Sequence, residues 1–226
     1  MKHSIVGLMA GVVLLTACGG TGPAVDRNSG GTGSLTLLVD ARIDASDVGT
    51  GFVTDFRVDL QDTLGNAVSG ATVTVKTASA GTLTLVEAGA GSGRYETAGT
   101  MTPEGDFELD VVSGTDEVRG VILGGPGIHT ITAPVTADTL VEASGFLVTW
   151  DFPSQAKFAV VEARGYSSND IVDDGEYMVP ANSFDVRNDQ RIRVFRFNEV
   201  DIAGGLPGSR LRVEVRKTVE PILSIP

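Results

Sequence analysis

Short segments in which apolar and polar residues alternate run through most of this chain, and they restrict its fold to a narrow choice. In residues 52–60, apolar or threonine side chains fall at every second position, with Asp55, Arg57 and Asp59 between them. A period of two is typical of a β-strand with one buried face, whereas an amphipathic helix repeats every 3.6 residues. No segment of useful length shows the helical period. The sequence therefore predicts an all-β fold.

The same pattern recurs about every ten residues from Leu35 to Ile131, with turn residues between the segments. The further strands predicted in this region are residues 35–39, 70–75, 82–86, 105–111, 117–121 and 127–131. Residues 62–66 form a predicted turn, because Gly65 and Asn66 both tolerate positive φ. Short strands at regular spacing predict a β-sandwich.

One motif in this region carries a family resemblance. It consists of a turn, a Val- and Ala-rich strand and a later tyrosine: Asp62-x-x-Gly65-x-x-Val68-x-Gly70-Ala71-x-Val73-x-Val75, then Gly93-x-Tyr95. The motif resembles bacterial immunoglobulin-like and carboxypeptidase-regulatory-like domains. The resemblance implies an immunoglobulin-like sandwich over residues 34–133, and it indicates fold rather than function.

A second block of strands follows a break at Pro134–Asp138, where we place the domain boundary. In residues 145–153 an apolar strand contains Trp150 and is followed by Pro153, and residues 156–163 form the next strand. This arrangement is similar to the opening of fibronectin type III domains, which implies that Trp150 is a core residue. We expect a fibronectin type III-like sandwich over residues 134–226. The predicted fold class is thus all-β, with two tandem immunoglobulin-like β-sandwiches.

One later strand has an unusual distribution of residue types. In residues 190–197, Arg191, Arg193, Phe195 and Phe197 share one face, although two are charged and two are aromatic. Because large apolar residues also occupy the other face, we expect either a β-bulge or burial on both sides.

The N-terminal segment has the features of a secretion signal. Lys2 precedes an apolar run from Ile5 to Ala17, which is too short to cross a bilayer comfortably. The run ends in Leu15-Thr16-Ala17-Cys18, which matches a lipobox, and the segment resembles a bacterial lipoprotein signal peptide. The resemblance implies cleavage of residues 1–17 and lipidation of Cys18 by fatty acyl chains such as palmitate. Gly19 after the cysteine favours the outer membrane by the same resemblance. The alternative is an ordinary signal peptide with a chance cysteine.

Residues 18–33 are rich in Gly, Ser and Thr and contain little that could be buried. We expect them to form a flexible tether with a reach on the order of 20 Å.

The acidic composition excludes some partners. The formal net charge of −12 makes binding to nucleic acid improbable, because the phosphate backbone repels acidic proteins. It also argues against docking on anionic lipids, which leaves the lipid on Cys18 as the predicted contact with the membrane. Cys18 is the only cysteine, so the sandwiches must hold together without a disulfide.

Candidate catalytic residues are few. After removal of residues 1–17 the chain keeps one histidine, His129, within a predicted strand. A Ser-His-Asp or Cys-His arrangement would depend on it entirely, and no Gly-x-Ser-x-Gly motif is present. We interpret His129 as a structural residue and predict no catalytic site.

Two acidic clusters are candidate calcium sites. Asp170, Asp173 and Asp174 lie in one predicted loop and offer the oxygen ligands that calcium prefers. The alternative interpretation is an ordinary acidic turn before the strand at Glu176. A weaker cluster of Asp40, Asp44 and Asp47 follows the first predicted strand. Apart from this possible calcium, the sequence predicts no cofactor.

The function that these features favour is that of a non-catalytic lipoprotein anchored in the envelope, which acts as a binding, adhesion or scaffolding module. Its expected partner is an envelope protein or a polysaccharide. One alternative is a surface lipoprotein that binds calcium or carbohydrate through the loop at residues 169–175. A second is a hydrolase that uses carboxylates alone, which would need two acidic residues across an open cleft.

Overall fold

The computed structural model describes residues 28–226, whose regular structure consists of strands and one 3₁₀ turn at Glu142–Ser144. The first nine strands are β1 (Ser29–Gly33), β2 (Leu38–Asp47), β3 (Phe52–Gln61), β4 (Thr72–Thr77), β5 (Gly81–Glu87), β6 (Arg94–Thr100), β7 (Asp106–Ser113), β8 (Asp116–Gly124) and β9 (Thr130–Ala133). The remainder are β10 (Thr139–Val141), β11 (Phe146–Asp151), β12 (Phe158–Ala163), β13 (Tyr166–Ser167), β14 (Glu176–Val179), β15 (Gln190–Asp201) and β16 (Arg210–Ile225). The predicted all-β class is confirmed. No helix in the described range is long and apolar enough to cross a membrane.

The first sandwich packs two layers of strands face to face. One layer has the order β1-β8-β7-β4-β5, and the other has the order β6-β3-β2-β16-β15. β5 pairs with both β4 and β6, so it joins the two layers at one edge. The inner faces form a core that includes Phe56, Leu85, Tyr95, Phe107, Leu109 and Leu123. Burial of each large apolar side chain contributes roughly 1.5–3 kcal/mol to folding.

The alternation in residues 52–60 is confirmed by β3. Every even-numbered residue from 52 to 60 is buried, whereas Asp55 and Arg57 are exposed. Thr54 is fully buried, and its hydroxyl donates to the carbonyl of Met101 at 3.3 Å. The buried polar position is therefore satisfied, and the strand keeps one apolar face.

The motif at residues 62–95 forms the turn that the sequence predicts, together with a tyrosine contact. Asp62 Oδ1 accepts the backbone N–H of Asn66 at 2.9 Å, which closes the turn. The buried Tyr95 hydroxyl donates to the carbonyl of Val68 at 2.9 Å and accepts the N–H of Ala71 at 2.8 Å. Tyr95 thereby fixes the segment that leads into β4.

The second sandwich places the three-stranded sheet β14-β11-β9 against β10, β12, β15 and β16. Its core includes Phe146, Val148, Trp150, Val161, Phe184 and Ile192. Trp150 is 2% exposed, so its predicted role as a core residue is confirmed.

The two sandwiches share the hairpin of β15 and β16, so the first sandwich also takes strands from beyond the boundary predicted between residues 133 and 134. The end of the hairpin near its turn contributes Ile202, Leu211 and Val213 to the first core. The opposite end contributes Ile192, Val194 and Ile222 to the second core. The first sandwich is therefore not one continuous segment of chain. An alternating strand has the same pattern whichever core it packs against, so the sequence could not show this.

Part of the predicted tether is a strand. Ser29–Gly33 forms β1, which pairs antiparallel with β8. Its glycines allow the backbone to approach the turn of the hairpin, where the N–H of Ala203 donates to the carbonyl of Gly30 at 2.9 Å. A Cβ atom on Gly33 would lie 2.3 Å from the carbonyl oxygen of Glu117 and 2.4 Å from that of Gly204. The glycines thus serve close packing rather than flexibility. Residues 18–27 of the predicted tether lie outside the described range.

Replacement of Gly33 by alanine tests this close packing. We expect Gly33→Ala to lower the free energy of unfolding by about 1–3 kcal/mol, because backbone atoms on both sides must move. Gly89→Ala is the matched control, since nothing lies within 4 Å of its added Cβ. That variant should stay within about 0.5 kcal/mol of the parent protein in urea unfolding. Equal effects at the two positions would show that β1 is loosely held.

Candidate functional site

Charged residues form rows across the outer face of the layer β6-β3-β2-β16. An arginine row contains Arg57, Arg42 and Arg212, which lie directly opposite one another on β3, β2 and β16. The adjacent acid row contains Asp55, Asp44 and Glu214 on the same three strands. We call this surface the striped face. Like charges opposite each other on neighbouring strands destabilise a sheet, so the two rows reduce the stability of the isolated chain.

Oppositely charged neighbours compensate part of that loss of stability. Arg57 Nε lies 2.7 Å from Asp59 Oδ2, and Arg212 forms an ion pair with Glu214 on its own strand. Such partly exposed pairs each contribute at most about 1 kcal/mol. Arg42 and Asp55 are exposed, and neither has an ion-pair partner within 4 Å in the described part of the chain. These two side chains are therefore available to a partner.

The acid row is partly desolvated. Burial raises the pKa of Asp44 although Arg42 and Arg212 oppose the shift. Burial also raises the pKa of Glu214 against the hydrogen bond from Arg212. A carboxylate with a raised pKa in the folded state reduces stability at pH values above that pKa. Perturbed groups of this kind are more frequent at functional sites than elsewhere on a surface.

Aromatic residues extend the acid row onto the second sandwich. Phe197 lies opposite Glu214 and is only 1% exposed, although it faces outward. The guanidinium carbon of Arg212 lies 3.5 Å from the centroid of the Phe197 ring, and the Phe158 ring lies 5.3 Å away on the other side. A cation over an aromatic ring contributes roughly 0.5–2 kcal/mol. The line of the acid row therefore continues onto β15 and β12 as aromatic side chains.

These contacts also explain the unusual distribution of residue types in the strand at residues 190–197. Ile192 and Val194 point into the second core, whereas Phe197 is covered on the outer face. The pairing with β16 also shifts its register between Gln190 and Ile192. Burial on both sides is therefore confirmed at Phe197, and the pairing of this strand is irregular at its start.

The calcium hypothesis at Asp170, Asp173 and Asp174 is corrected by the structure. Asp173 is fully buried, and Trp150 Nε1 donates to its Oδ1 at 2.9 Å. Its Oδ2 accepts the N–H of Ala156 at 2.6 Å, and the Arg196 guanidinium contacts both oxygens. The carboxylate therefore has no oxygen free for a metal ion. Asp170 and Asp174 are exposed, and no group of three or more acidic, His or Cys residues in the described range is placed to hold a metal.

Arg196 is the centre of this buried cluster and links several segments. Besides Asp173, its guanidinium donates to the carbonyls of Pro126 at 3.0 Å, Gly127 at 3.3 Å and Ser154 at 2.5 Å. All five N–H groups of the guanidinium thus have acceptors. Because Pro126 and Gly127 belong to the connection between the sandwiches, Arg196 fixes that connection to the shared hairpin.

The second predicted calcium cluster is also corrected. Asp40, Asp44 and Asp47 lie within β2 rather than in a loop after a strand. Asp40 is 3.1 Å from Arg210 Nε, and Asp47 is 2.6 Å from Lys217 Nζ. Their partners are basic side chains of β16, so the cluster belongs to the striped face and its margins.

His129 is a buried residue just before β9. Its Nε2 donates to the carbonyl of Val194 at 3.0 Å, because a carbonyl can only accept. Its Nδ1 has no hydrogen-bond partner. Burial lowers the pKa of His129 from 6.5 to about 3, and the charge of Arg196 adds to the lowering. These contacts agree with the structural role that the sequence predicts. Cys18, the predicted lipidation site, lies outside the described residues.

Sequence reasoning missed the striped face and Arg196. The charged positions were visible, because β2, β3 and β16 each place a charged residue at every second position in this region. The rows depend on which strands are neighbours and in which register, and a single sequence does not contain that information.

Comparisons with known proteins give a likeness of architecture alone. No protein-family model matches this sequence, and no curated protein matches it significantly. Among solved structures, the fibronectin(III)-like modules of CbhA from Clostridium thermocellum are 13% identical with a TM-score of 0.27, covering 79% of this chain and 89% of that chain. The Yersinia pseudotuberculosis adhesin InvE is 15% identical with a TM-score of 0.26, covering 84% of this chain and 61% of that chain. The description of the two sandwiches rests on the strand pairing and the two cores given above.

Proposed function

We propose that this protein is a non-catalytic, lipid-anchored envelope protein that binds a macromolecular partner through the striped face. The observation that carries the proposal is the row arrangement, in which exposed Arg42 and Asp55 are unpaired and Asp44 is partly desolvated. Like charges opposite one another on neighbouring strands repel each other and reduce the stability of the sheet. A bound partner with the opposite charges would offset that repulsion.

The distribution of charge on the face favours a large partner over a small substrate. Its charged side chains are spread in rows over three neighbouring strands, whereas sites for small molecules are mostly apolar with a few polar groups. Asp44 and Glu214 lie next to each other on neighbouring strands with arginines beside them, rather than across a cleft as glycoside hydrolysis requires. The carboxylate hydrolase is therefore the weaker alternative. The calcium alternative is weaker too, because the carboxylate of Asp173 already forms a buried ion pair with Arg196.

The proposed anchor is the lipid on Cys18, and the proposed location is the bacterial outer membrane. The support is the lipoprotein-like segment ending in Leu15-Thr16-Ala17-Cys18 and the glycine that follows it. Acyl chains on Cys18 would hold the folded part at the membrane without help from the acidic surface. In the same proposal, the first sandwich is immunoglobulin-like and the second is fibronectin type III-like.

One experiment tests the anchor and the binding face together. The full chain is produced in its own cells with a photo-crosslinking amino acid in place of Val53, which lies on the striped face beside Asp55. The control places the same group at Thr84, an exposed position on β5 in the other layer. We expect discrete adducts from position 53 and few from position 84. We also expect fatty-acid labelling and membrane association, both lost in the Cys18→Ser variant.

Two results would contradict the proposal. If Cys18→Ser keeps the label or stays with the membrane, the anchor is wrong. If positions 53 and 84 give the same adducts, or neither gives any, the striped face is not a binding surface.

A further inference from the structure

We infer that the partner on the striped face is a second copy of this chain, seated so that the arginine row of each copy lies on the acid row of the other. The inference rests on the proposed function, because it names the occupant of the proposed binding face. It is carried by the self-complementarity of the two rows.

The geometry selects one arrangement of the two copies. A two-fold axis parallel to the rows and midway between them turns one face onto the other and exchanges the rows. Arg57 then faces Asp55 of the other copy, and Arg42 faces its Asp44. A two-fold axis parallel to the strands would instead place each row on itself, with like charges in contact. The dimer is thus isologous, and every contact occurs twice.

The charges at the centre of the face suit this arrangement. Arg42, Asp55 and Arg57 are exposed, and Arg42 and Asp55 have no ion-pair partner within 4 Å among the residues described. The rows farther out contain pairs that are satisfied within one copy, such as Asp59 with Arg94 at 2.9 Å and Asp40 with Arg210 at 3.1 Å. Arg42 and Asp55, the two exposed charges without an ion pair, both lie on the rows that the two-fold axis superimposes.

The size of the face matches what a specific dimer needs. β2 and β3 have ten residues each, which corresponds to a length of about 33 Å. The four strands of the striped face, at a spacing of about 4.8 Å, give a width of about 19 Å. The resulting area of about 630 Å² per copy lies within the range of specific protein–protein interfaces. Because the contacts are mostly ionic, the dimer should weaken as the salt concentration rises.

A charge exchange between two copies tests the inference. Cells produce two full-length copies with different affinity tags, and one tag is isolated after extraction in mild detergent. Wild-type copies should co-isolate. Two copies that both carry Arg57→Glu should co-isolate at least tenfold less than wild-type copies, because both symmetric contacts become repulsive. The same is expected for two copies that both carry Asp55→Lys. An Arg57→Glu copy with an Asp55→Lys copy should co-isolate again, because both contacts are then attractive. Lys76→Glu on β4 of the other layer is the control and should have no effect.

The outcomes separate the possible failures. Recovery in the mixed pair also shows that both variants are folded. If wild-type copies do not co-isolate, or if Arg57→Glu copies co-isolate like the wild type, the inference is overturned. If the crosslinker at Val53 then captures a different envelope protein or a polysaccharide, the proposed function stands and only the second copy is wrong. If it captures nothing, both are wrong.

Discussion

Replacement of Asp173 by alanine is expected to lower the free energy of unfolding by about 3–5 kcal/mol. The reason is that Arg196, which is 0% exposed, would keep its charge in the interior without the carboxylate that neutralises it. The Trp150 indole N–H and the N–H of Ala156 would lose their acceptor as well. Urea unfolding of the purified protein, followed by tryptophan fluorescence, measures the loss.

The neighbouring Asp174 provides the control for this prediction. Asp174 is exposed and differs from Asp173 by one position, so Asp174→Ala should change the unfolding free energy by no more than about 0.5 kcal/mol. A double variant with Asp173→Ala and Arg196→Met should regain part of the loss, because no buried charge then remains. A loss below 1 kcal/mol for Asp173→Ala would show that water reaches Arg196 and that the pair is not a structural centre.

The stability of the protein is also expected to fall between pH 6.5 and pH 4.5 because of His129. The pKa of His129 is lowered from 6.5 to about 3 in the folded state, so the unfolded chain takes up the proton first as the pH falls. Above pH 6.5, His129 therefore does not reduce the free energy of unfolding. Below pH 6.5, its effect lowers the free energy of unfolding by up to about 1.4 kcal/mol per pH unit. At pH 4.5 the loss from this residue should be roughly 2–3 kcal/mol.

The His129→Gln variant isolates this effect, because glutamine keeps an N–H donor for the carbonyl of Val194 but does not titrate. Carboxylates affect the acid sensitivity of both proteins, so the difference between their unfolding free energies at each pH reports His129 alone. The difference should change steadily from pH 6.5 to pH 4.5. If the two proteins lose stability in parallel over this range, His129 is protonated in the folded state and its environment is more open than the structure shows.

The sequence predicts individual strands better than it predicts their partners. The alternation in residues 52–60 and 105–111 identifies β3 and β7, because a half-buried strand needs one apolar face. The core position of Trp150 is implied instead by the resemblance to fibronectin type III domains, and it agrees with the gain from burying a large apolar ring. The strand predictions depend only on local pattern.

Long-range pairing was not accessible to the same reasoning. β16 pairs with β2 although about 170 positions separate Arg210 from Asp40, and no local pattern records that neighbour. The glycines of β1 predict a flexible tether, because the sequence does not show what lies beside them. Asp173 is a candidate calcium ligand in the sequence, because the buried arginine that contacts it belongs to a distant strand. In each case the missing information was the identity of the neighbour.

The shared hairpin also affects when the chain can fold. Both cores need side chains from β16, which comes last in chain order among the described strands. The amino-terminal sandwich therefore cannot be completed before β16 has been synthesised, unlike the leading domains of most tandem arrays, which fold first. Contacts between such distant segments also form slowly. Because one hairpin completes both cores, the two sandwiches cannot reach their final packing as independent folding units.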